Sequence, residues 1–251
     1  MRTLTSKPEP AEIPEDDPDA MEDQPKPTVL TTHPGINRVA WDLCYAGAVF
    51  IPKVKIDGGD PKVGPLANPG TYTLNLMVDG KKCTAKVEIR PDSRVHVSAS
   101  DLEEQLRFAL ALRDDISRVT KIVNRLRTIR KQLTARADWL KDDPKAASLL
   151  QSSKEVIGKL DSLEARLHNP KAEVTYDILA QRGGAQLYSR LIFLFDFLKD
   201  SDGAPTQGMR EVYDEQHREL GKLETQFHGL VTGDLAKLTD IMGHPLKRSP
   251  R

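Results

Sequence analysis

Two cysteines, Cys44 and Cys83, are all that 251 residues contain, and aromatic side chains make up only 5%. So few thiols exclude a disulfide-stapled scaffold, and no C-x-x-C spacing offers a zinc site. Scarce aromatics weigh against a strip for stacking sugars or bases. Charge of one sign is missing too: 37 basic side chains balance 37 acidic ones, so nucleic acid is not an expected partner. The richest apolar run, Leu191-Ile-Phe-Leu-Phe195, falls far short of the roughly 18 residues of a membrane span. The opening Met1-Arg-Thr-Leu-Thr-Ser-Lys-Pro8 lacks the apolar core of a signal peptide, so a chain expressed alone is expected to stay in the cytoplasm. No H-E-x-x-H, G-x-S-x-G, phosphate loop or dinucleotide fingerprint occurs. No catalytic residue and no cofactor is therefore assigned.

What is present is helix. Residues 100–141 read as one helix of roughly 40 residues, about 60 Å long. Ser100 and Glu103 suggest a capping box, with Asp101 and Glu104 beside it where the helix dipole favours negative charge. An apolar stripe runs Leu102, Leu106, Ala109, Leu112, Ile116, Val119, Val123, Leu126, Leu133, Ala137 and Leu140, interrupted by Arg130. Asp142-Asp143-Pro144 stops it, and Asp143 is placed to cap a second helix beginning at Pro144. That helix carries Leu149, Val156, Leu160, Leu163 and Leu167 and ends at His168-Asn169-Pro170. A third spans about 185–199 and a fourth, capped by Thr206, runs to about 242. The second and third together match the first and fourth in length. The lengths favour three antiparallel legs with the middle one broken near 169–184, beside an up-down-up-down alternative.

Upstream the pattern differs. Residues 7–31 hold six prolines and eight acids against Lys7 and Lys26, the composition of a disordered linker. From 34 to 97 the period becomes two. Ile36, Val39, Trp41 and Leu43 suggest a strand over 36–43, a loop rich in Gly and Pro runs from Asp57 to Gly70, and Tyr72, Leu74, Leu76 and Val78 form one face of a strand. Asp79-Gly80 is a hairpin turn, and a return strand runs from Cys83 to Arg90. In that phase Cys83 points inward and Cys44 outward, so the two are independent thiols. The expected fold class is α+β in two domains. A small, incomplete immunoglobulin-like antiparallel β-sandwich over 33–98 precedes a helical bundle over 99–243. Residues 1–32 lie before them and a basic tail, 244–251, after.

Three features invite a functional reading. Arg118, Lys121, Arg125, Arg127, Arg130, Lys131 and Arg136 form a basic stretch with no acid between Ile116 and Ala137. A polyanion-binding face, with Arg118, Lys121, Arg125, Arg127 and Lys131 at its centre, competes with internal ion pairing. The favoured reading is pairing, with Glu211, Asp214, Glu215, Glu219 and Glu224 of the fourth helix as counter-charges. Asp57 and Asp60 are oxygen donors that suit calcium, but the Gly58-Gly59 between them reads more readily as a turn. His217 and His228 lie about three turns apart, too far to share a metal.

Pro34-Gly-Ile-Asn-Arg-Val-Ala-Trp-Asp-Leu43, the loop Gly59-Asp-Pro61 with Gly64-Pro-Leu66, and Pro69-Gly-Thr-Tyr-Thr-Leu74 carry a resemblance. Asp92-Ser-Arg94, Leu106 to Arg113 and Asp202-Gly-Ala-Pro-Thr206 fit the same pattern. The chain resembles the C-terminal region of bacterial sortilin-like β-propeller proteins with sialidase-type (BNR) repeats, often labelled glycosyl hydrolases. In that family a propeller precedes an Ig-like domain and a helical region. The resemblance makes Gly35, Asn37, Arg38, Trp41, Asp42, Gly70 and Tyr72 structural motif residues. Cys44 stands where arginine is usual, and Arg2-Thr-Leu-Thr-Ser6 looks like the end of the first Ig strand, so the chain resembles a fragment. The resemblance implies a non-catalytic accessory module whose partner is a β-propeller, in cis or encoded upstream. It implies a secreted or periplasmic parent. Asp-box repeats are absent here, so hydrolase or peptidase chemistry would lie in the missing propeller. Uncovered strand edges also suggest a homo-oligomer.

Overall fold

A computed structural model describes residues 2–7, 29–179, 183–199 and 201–242. Residues 8–28 of the acidic segment, and all of the basic tail 244–251, lie outside the described residues. The class is α+β, with two small antiparallel sheets and a helical body.

Helix α1 spans Ala99–Leu140, a little longer than its pattern suggests at the start. The cap is Ser98, whose hydroxyl accepts the Asp101 amide at 3.1 Å, and not Ser100. Ser98 is extended, at φ −72° and ψ 151°, whereas Ser100 already lies within the helix. Asp143 caps a short 3-10 turn over Pro144–Ala146, followed by α2 (Ala147–Leu167). A single turn, α3 (Tyr176–Leu179), interrupts the irregular connection to α4 (Leu187–Lys199). Thr206 accepts the Met209 amide and starts α5 (Gln207–Gly229). A π-helical turn, Leu230–Asp234, joins α5 to α6 (Leu235–Met242).

Side-chain pairs fix the helix directions. Arg127 and Arg130 of α1 meet Glu164 and Asp161 of α2, so those helices run antiparallel. Gln105 reaches the Leu198 carbonyl, and Val49 and Ile51 lie between Thr120 and Tyr188, so α4 runs antiparallel beside the first half of α1. Glu104 with Arg210, and Arg118 with Glu224, put α5 parallel to α1. Lys159 of α2 meets Asp234, and Arg166 meets Gln226, so the last leg returns along α2. α1 and α5 thus run one way, and α2 and α4 the other.

The core follows from this. α1 touches α2, α4 and α5, so its buried arc is wider than one stripe. Ile122 and Ile129 are buried beside Leu112, Ile116, Val119, Val123, Leu126 and Leu133, while Leu102, Leu106, Ala137 and Leu140 at its ends are half-buried. Leu187, Leu191, Phe195 and Leu198 of α4 and Leu220 and Leu223 of α5 complete the interior.

The β region does not have the expected outline. Residues 34–43 form no strand; Ile36 is 97% exposed, and Val39 and Leu43 are exposed as well. Leu43 itself sits at φ 60°, a left-handed conformation that breaks an extended ladder. The first strand, β1, begins only at Cys44 (Cys44–Ala46) and pairs with β2 (Val63–Leu66). Two glycines make this pairing possible: a Cβ on Gly47 would collide with the Lys62 carbonyl, and one on Gly64 with the Tyr45 carbonyl. The second sheet is a hairpin of β3 (Gly70–Val78) and β4 (Lys81–Ile89), turned by Asp79 and Gly80 at φ 47° and 77°, as a type I′ turn requires.

Residues 47–60, which form no helix or strand, pack on the helical core through Ala48, Ile51, Val54 and Ile56. Ile51 is fully buried, and Ala48 joins the same apolar cluster. The Val49 amide donates to Ser117 Oγ and its carbonyl accepts from Thr120; the Ile51 amide donates to the Tyr188 hydroxyl at 3.3 Å. Burial pushes that hydroxyl's pKa up to about 12.

Candidate interaction surface

The motif residues at 35–42 shape local backbone. Asn37 ties its own loop: its Oδ1 accepts from the Thr31 hydroxyl and the His33 amide, and its Nδ2 donates to the His33 and Gly35 carbonyls. Gly35 supplies φ 102° for that loop. Asp42 Oδ1 accepts the Cys44 amide at 3.0 Å, and Arg2 pairs with its other oxygen. Partial burial acts to raise the Asp42 pKa, but these hydrogen bonds and the Arg2 charge outweigh it and hold the pKa low. Arg2 thus brings residues 2–7 alongside, where Thr5 bridges Val29. Trp41 donates to the Cys44 carbonyl and meets Tyr72 edge-on, centroids 5.9 Å apart. Tyr72 donates to the Asn68 carbonyl, and Gly70 adopts φ 151°. Arg38 is exposed.

The cysteines stand the opposite way from their predicted phases. Cys44 is buried and Cys83 exposed, and neither is bonded to the other. The inversion has two causes: residues 34–43, which set the phase of Cys44, form no strand, and among the described residues little covers the hairpin face carrying Cys83.

That face is the most unusual surface of the molecule. Tyr72, Leu74, Leu76 and Val78 of β3 lie beside Val87, Ala85 and Cys83 of β4, a contiguous apolar strip. Tyr72 and Val87 are half-buried, but Leu74, Leu76 and Val78 are 48%, 52% and 55% exposed. The reverse face carries Thr71, Thr73, Asn75, Lys82, Thr84, Lys86 and Glu88, with the exposed Met77 as its apolar exception. A ribbon with one apolar and one polar side is built to pack on something, and among the described residues little covers the apolar side beyond Trp41.

The basic residues of α1 divide. Arg118 pairs with Asp115 and Glu224; Arg127 and Arg130 converge on Glu164. Glu164 is 2% exposed and also accepts from His168. Burial opposes its charge most strongly, yet the His168 and Arg127 hydrogen bonds and both arginine charges lower its pKa to about 2. Of the fourth-helix acids, Glu224 meets an α1 cation, whereas Glu219 pairs with Arg190 of α4. The main counter-charges, Glu164 and Asp161, come from α2. Arg125 lies over the Phe227 ring at 5.7 Å, and Lys121 and Lys131 are exposed with no acid partner among the described residues.

Asp57 is half-buried, with Oδ1 lacking a partner and its pKa raised by burial. Asp60 Oδ1 accepts the Lys62 amide in a turn. No group of three potential metal ligands assembles among the described residues. Asp115, also buried, receives His217 Nδ1 at 2.6 Å and Arg118 at 2.6 Å. Burial, followed by the charge of Asp115, pushes the neighbouring Tyr213 hydroxyl's pKa up. A cleft of about 490 Å³ lies where the sheet region meets the start of α1, walled by Leu66, Val95, Leu102 and Leu106. Its one cation, Lys199, is held by Asp196 at 2.9 Å and the Asp60 carbonyl at 3.2 Å. Asp92, held by Arg94, and Asp202 are its acids, and Asn68, Gln105 and Ser201 also line it, so its walls are mixed apolar and polar. No described helix is long and apolar enough to cross a membrane.

The exposed hairpin is therefore the most distinctive surface among the described residues. No protein-family model, no curated protein and no solved structure matches the chain.

Proposed function

We propose that the chain is a non-catalytic accessory module that docks a β-structured partner through the apolar face of the β3–β4 hairpin. The observation that carries this reading is the half-exposed row Leu74, Leu76 and Val78 standing beside a helical body whose own interior is closed. At roughly 25 cal/mol per Å², covering such a row is a substantial driving force for association. The partner that the sequence resemblance suggests is a sortilin-like β-propeller, in the same polypeptide or encoded upstream. In this reading the described strands are part of an immunoglobulin-like sandwich that another segment completes. Residues 36–43, with Ile36, Val39 and Leu43 exposed, would order as a strand on that partner. The helical body serves as a stiff spacer. Polyanion binding is less well supported, because Arg118 and Arg127 of the basic stretch are engaged by Glu224 and Glu164.

Light scattering on a mixture of the chain with the propeller encoded upstream tests this. A complex that Leu76→Glu abolishes, with helical circular dichroism unchanged, supports docking through the hairpin. No complex at any ratio overturns it.

A further inference from the structure

The open edge of β4 is charge-complementary to itself, and the geometry points to a homodimer in which β4 pairs antiparallel with β4 of a second copy. This goes beyond docking of a partner on the apolar face: it concerns the ribbon's edge, and the occupant is the same chain.

The hairpin geometry determines which residues face outward. A two-residue type I′ turn is closed by a hydrogen-bonded pair, here Val78 and Lys81. The alternation of pair types then makes Leu76–Cys83, Leu74–Ala85 and Tyr72–Val87 hydrogen-bonded pairs as well. Their N–H and C=O groups point into the ribbon. Those of Lys82, Thr84, Lys86 and Glu88 point away from β3, and the sheet has two strands among the described residues, so these groups meet no described strand. Lys82 and Lys86 have no acid partner among the described residues either. Lysines on an edge usually repel a second strand.

Glu88, whose only described ion pair is the exposed one with Arg90 at 3.0 Å, changes that outcome in one register. Antiparallel pairing of the edge with itself must set outward residues against outward residues, which leaves few alignments. Centred on Thr84, Lys82 faces Lys86 at two places. Centred on Lys86, the two copies of Lys86 face each other and Lys82 faces Arg90. Centred on Ala85, Lys82 faces Glu88 and Thr84 faces Lys86, each twice, while Cys83 faces Val87 on the apolar side. This last alignment is also the one that overlaps the strand along its full length, Lys81–Ile89. An alignment centred on Val87 sets Lys86 against Glu88 but leaves about half of the strand unpaired. Length and charge therefore select the same register, which would form about eight backbone hydrogen bonds. The product is a four-stranded sheet ordered β3–β4–β4–β3, with the apolar strip of each copy on one common face.

The experiment is sedimentation velocity on the full chain over a concentration series, with charge-swapped variants. The expected result is a reversible dimer. Lys82→Glu and Glu88→Lys should each weaken it by about tenfold or more, since each sets two like-charged pairs face to face. The double variant should restore it. In a Cys83→Ser background, Ala85→Cys should give an inter-chain disulfide on mild oxidation, because the dyad places that residue opposite itself. Helical circular dichroism confirms that the variants fold. A chain that stays monomeric at high concentration overturns the inference, as does a dimer indifferent to the swaps, which would be held elsewhere. Protection of the β4 edge amides from hydrogen exchange in a monomer also overturns it, since the occupant would then be a segment of the same chain. Association with a propeller is read in a separate titration, so either result can fail alone.

Discussion

Arg127 and Glu164 meet at 2.7 Å, Nε to Oε1, and this contact links three stretches of chain that are distant in sequence. Arg127 also donates to the Pro52 carbonyl, so the guanidinium joins α1, α2 and the 47–60 segment. Replacing Glu164 with Gln strands two arginines beside a neutral amide and should cost on the order of 3 kcal/mol at neutral pH, read by urea unfolding. The sign with pH is fixed. The folded-state pKa lies near 2 against an ordinary value of 4.5, so the contribution is present above about 4.5 and is lost as pH falls through 2. Wild type should lose stability across that window more steeply than Glu164→Gln, and equal slopes would contradict the assignment.

Ile51→Ala should destabilise the helical body by about 2–5 kcal/mol, as a core truncation does, although the residue lies in no helix or strand. The check is the thermal transition followed by helical ellipticity. A change confined to local hydrogen exchange near residue 51 would show the segment to be only a surface strap.

Gly47→Ala and Gly64→Ala should each cost about 3 kcal/mol, because the added methyl meets backbone carbonyls that cannot swing aside. Gly158→Ala, with nothing within 4 Å of the new Cβ, should be neutral or slightly stabilising. Denaturant midpoints of the three variants separate these outcomes.

Cap assignment at α1 is testable by a pair of variants. Ser98→Ala should lose about 1 kcal/mol and Ser100→Ala much less, since the Asp101 amide is bound by Ser98. The reverse order would restore the capping box expected from the pattern Ser100-x-x-Glu103.

A thiol-reactive dye should label Cys83 quickly and Cys44 slowly in the native protein. Cys44 is buried, and burial first, then the nearby Asp42 charge, raises its pKa, so little thiolate is present. Two equally fast thiols would mean that the β1–β2 sheet opens readily.

How far the sequence could be read varies with the kind of order involved. Periodicity located α1, α2, α4 and α5 because each buries a face repeated over several turns, and Asp143 and Thr206 marked starts by chemistry that acts locally. The long hairpin was legible for the same reason, since Asp79-Gly80 admits one turn type. The strand expected over 36–43 failed because its apolar spacing is irregular from Ile36 to Val39, Pro34-Gly35 begins it poorly, and no described strand lies beside it. Burial of Ile51 left no periodic trace; its signal was only an apolar cluster, Val49-Phe-Ile51, inside an apparent loop. Asp115 and Glu164 were hidden by their charge, which reads as surface. The excess of arginine on α1 showed that buried acids were needed but not where they stood.

One last property follows from how the β3–β4 ribbon is anchored. Gly70 and Ile89 sit opposite each other, so the chain leaves the body and re-enters it at neighbouring points. Cutting out the ribbon and joining its two feet would demand only a short splice, with Ile51 and the helices around it keeping their neighbours. The protein carries its apolar ribbon as a cassette, separable from the frame that holds it.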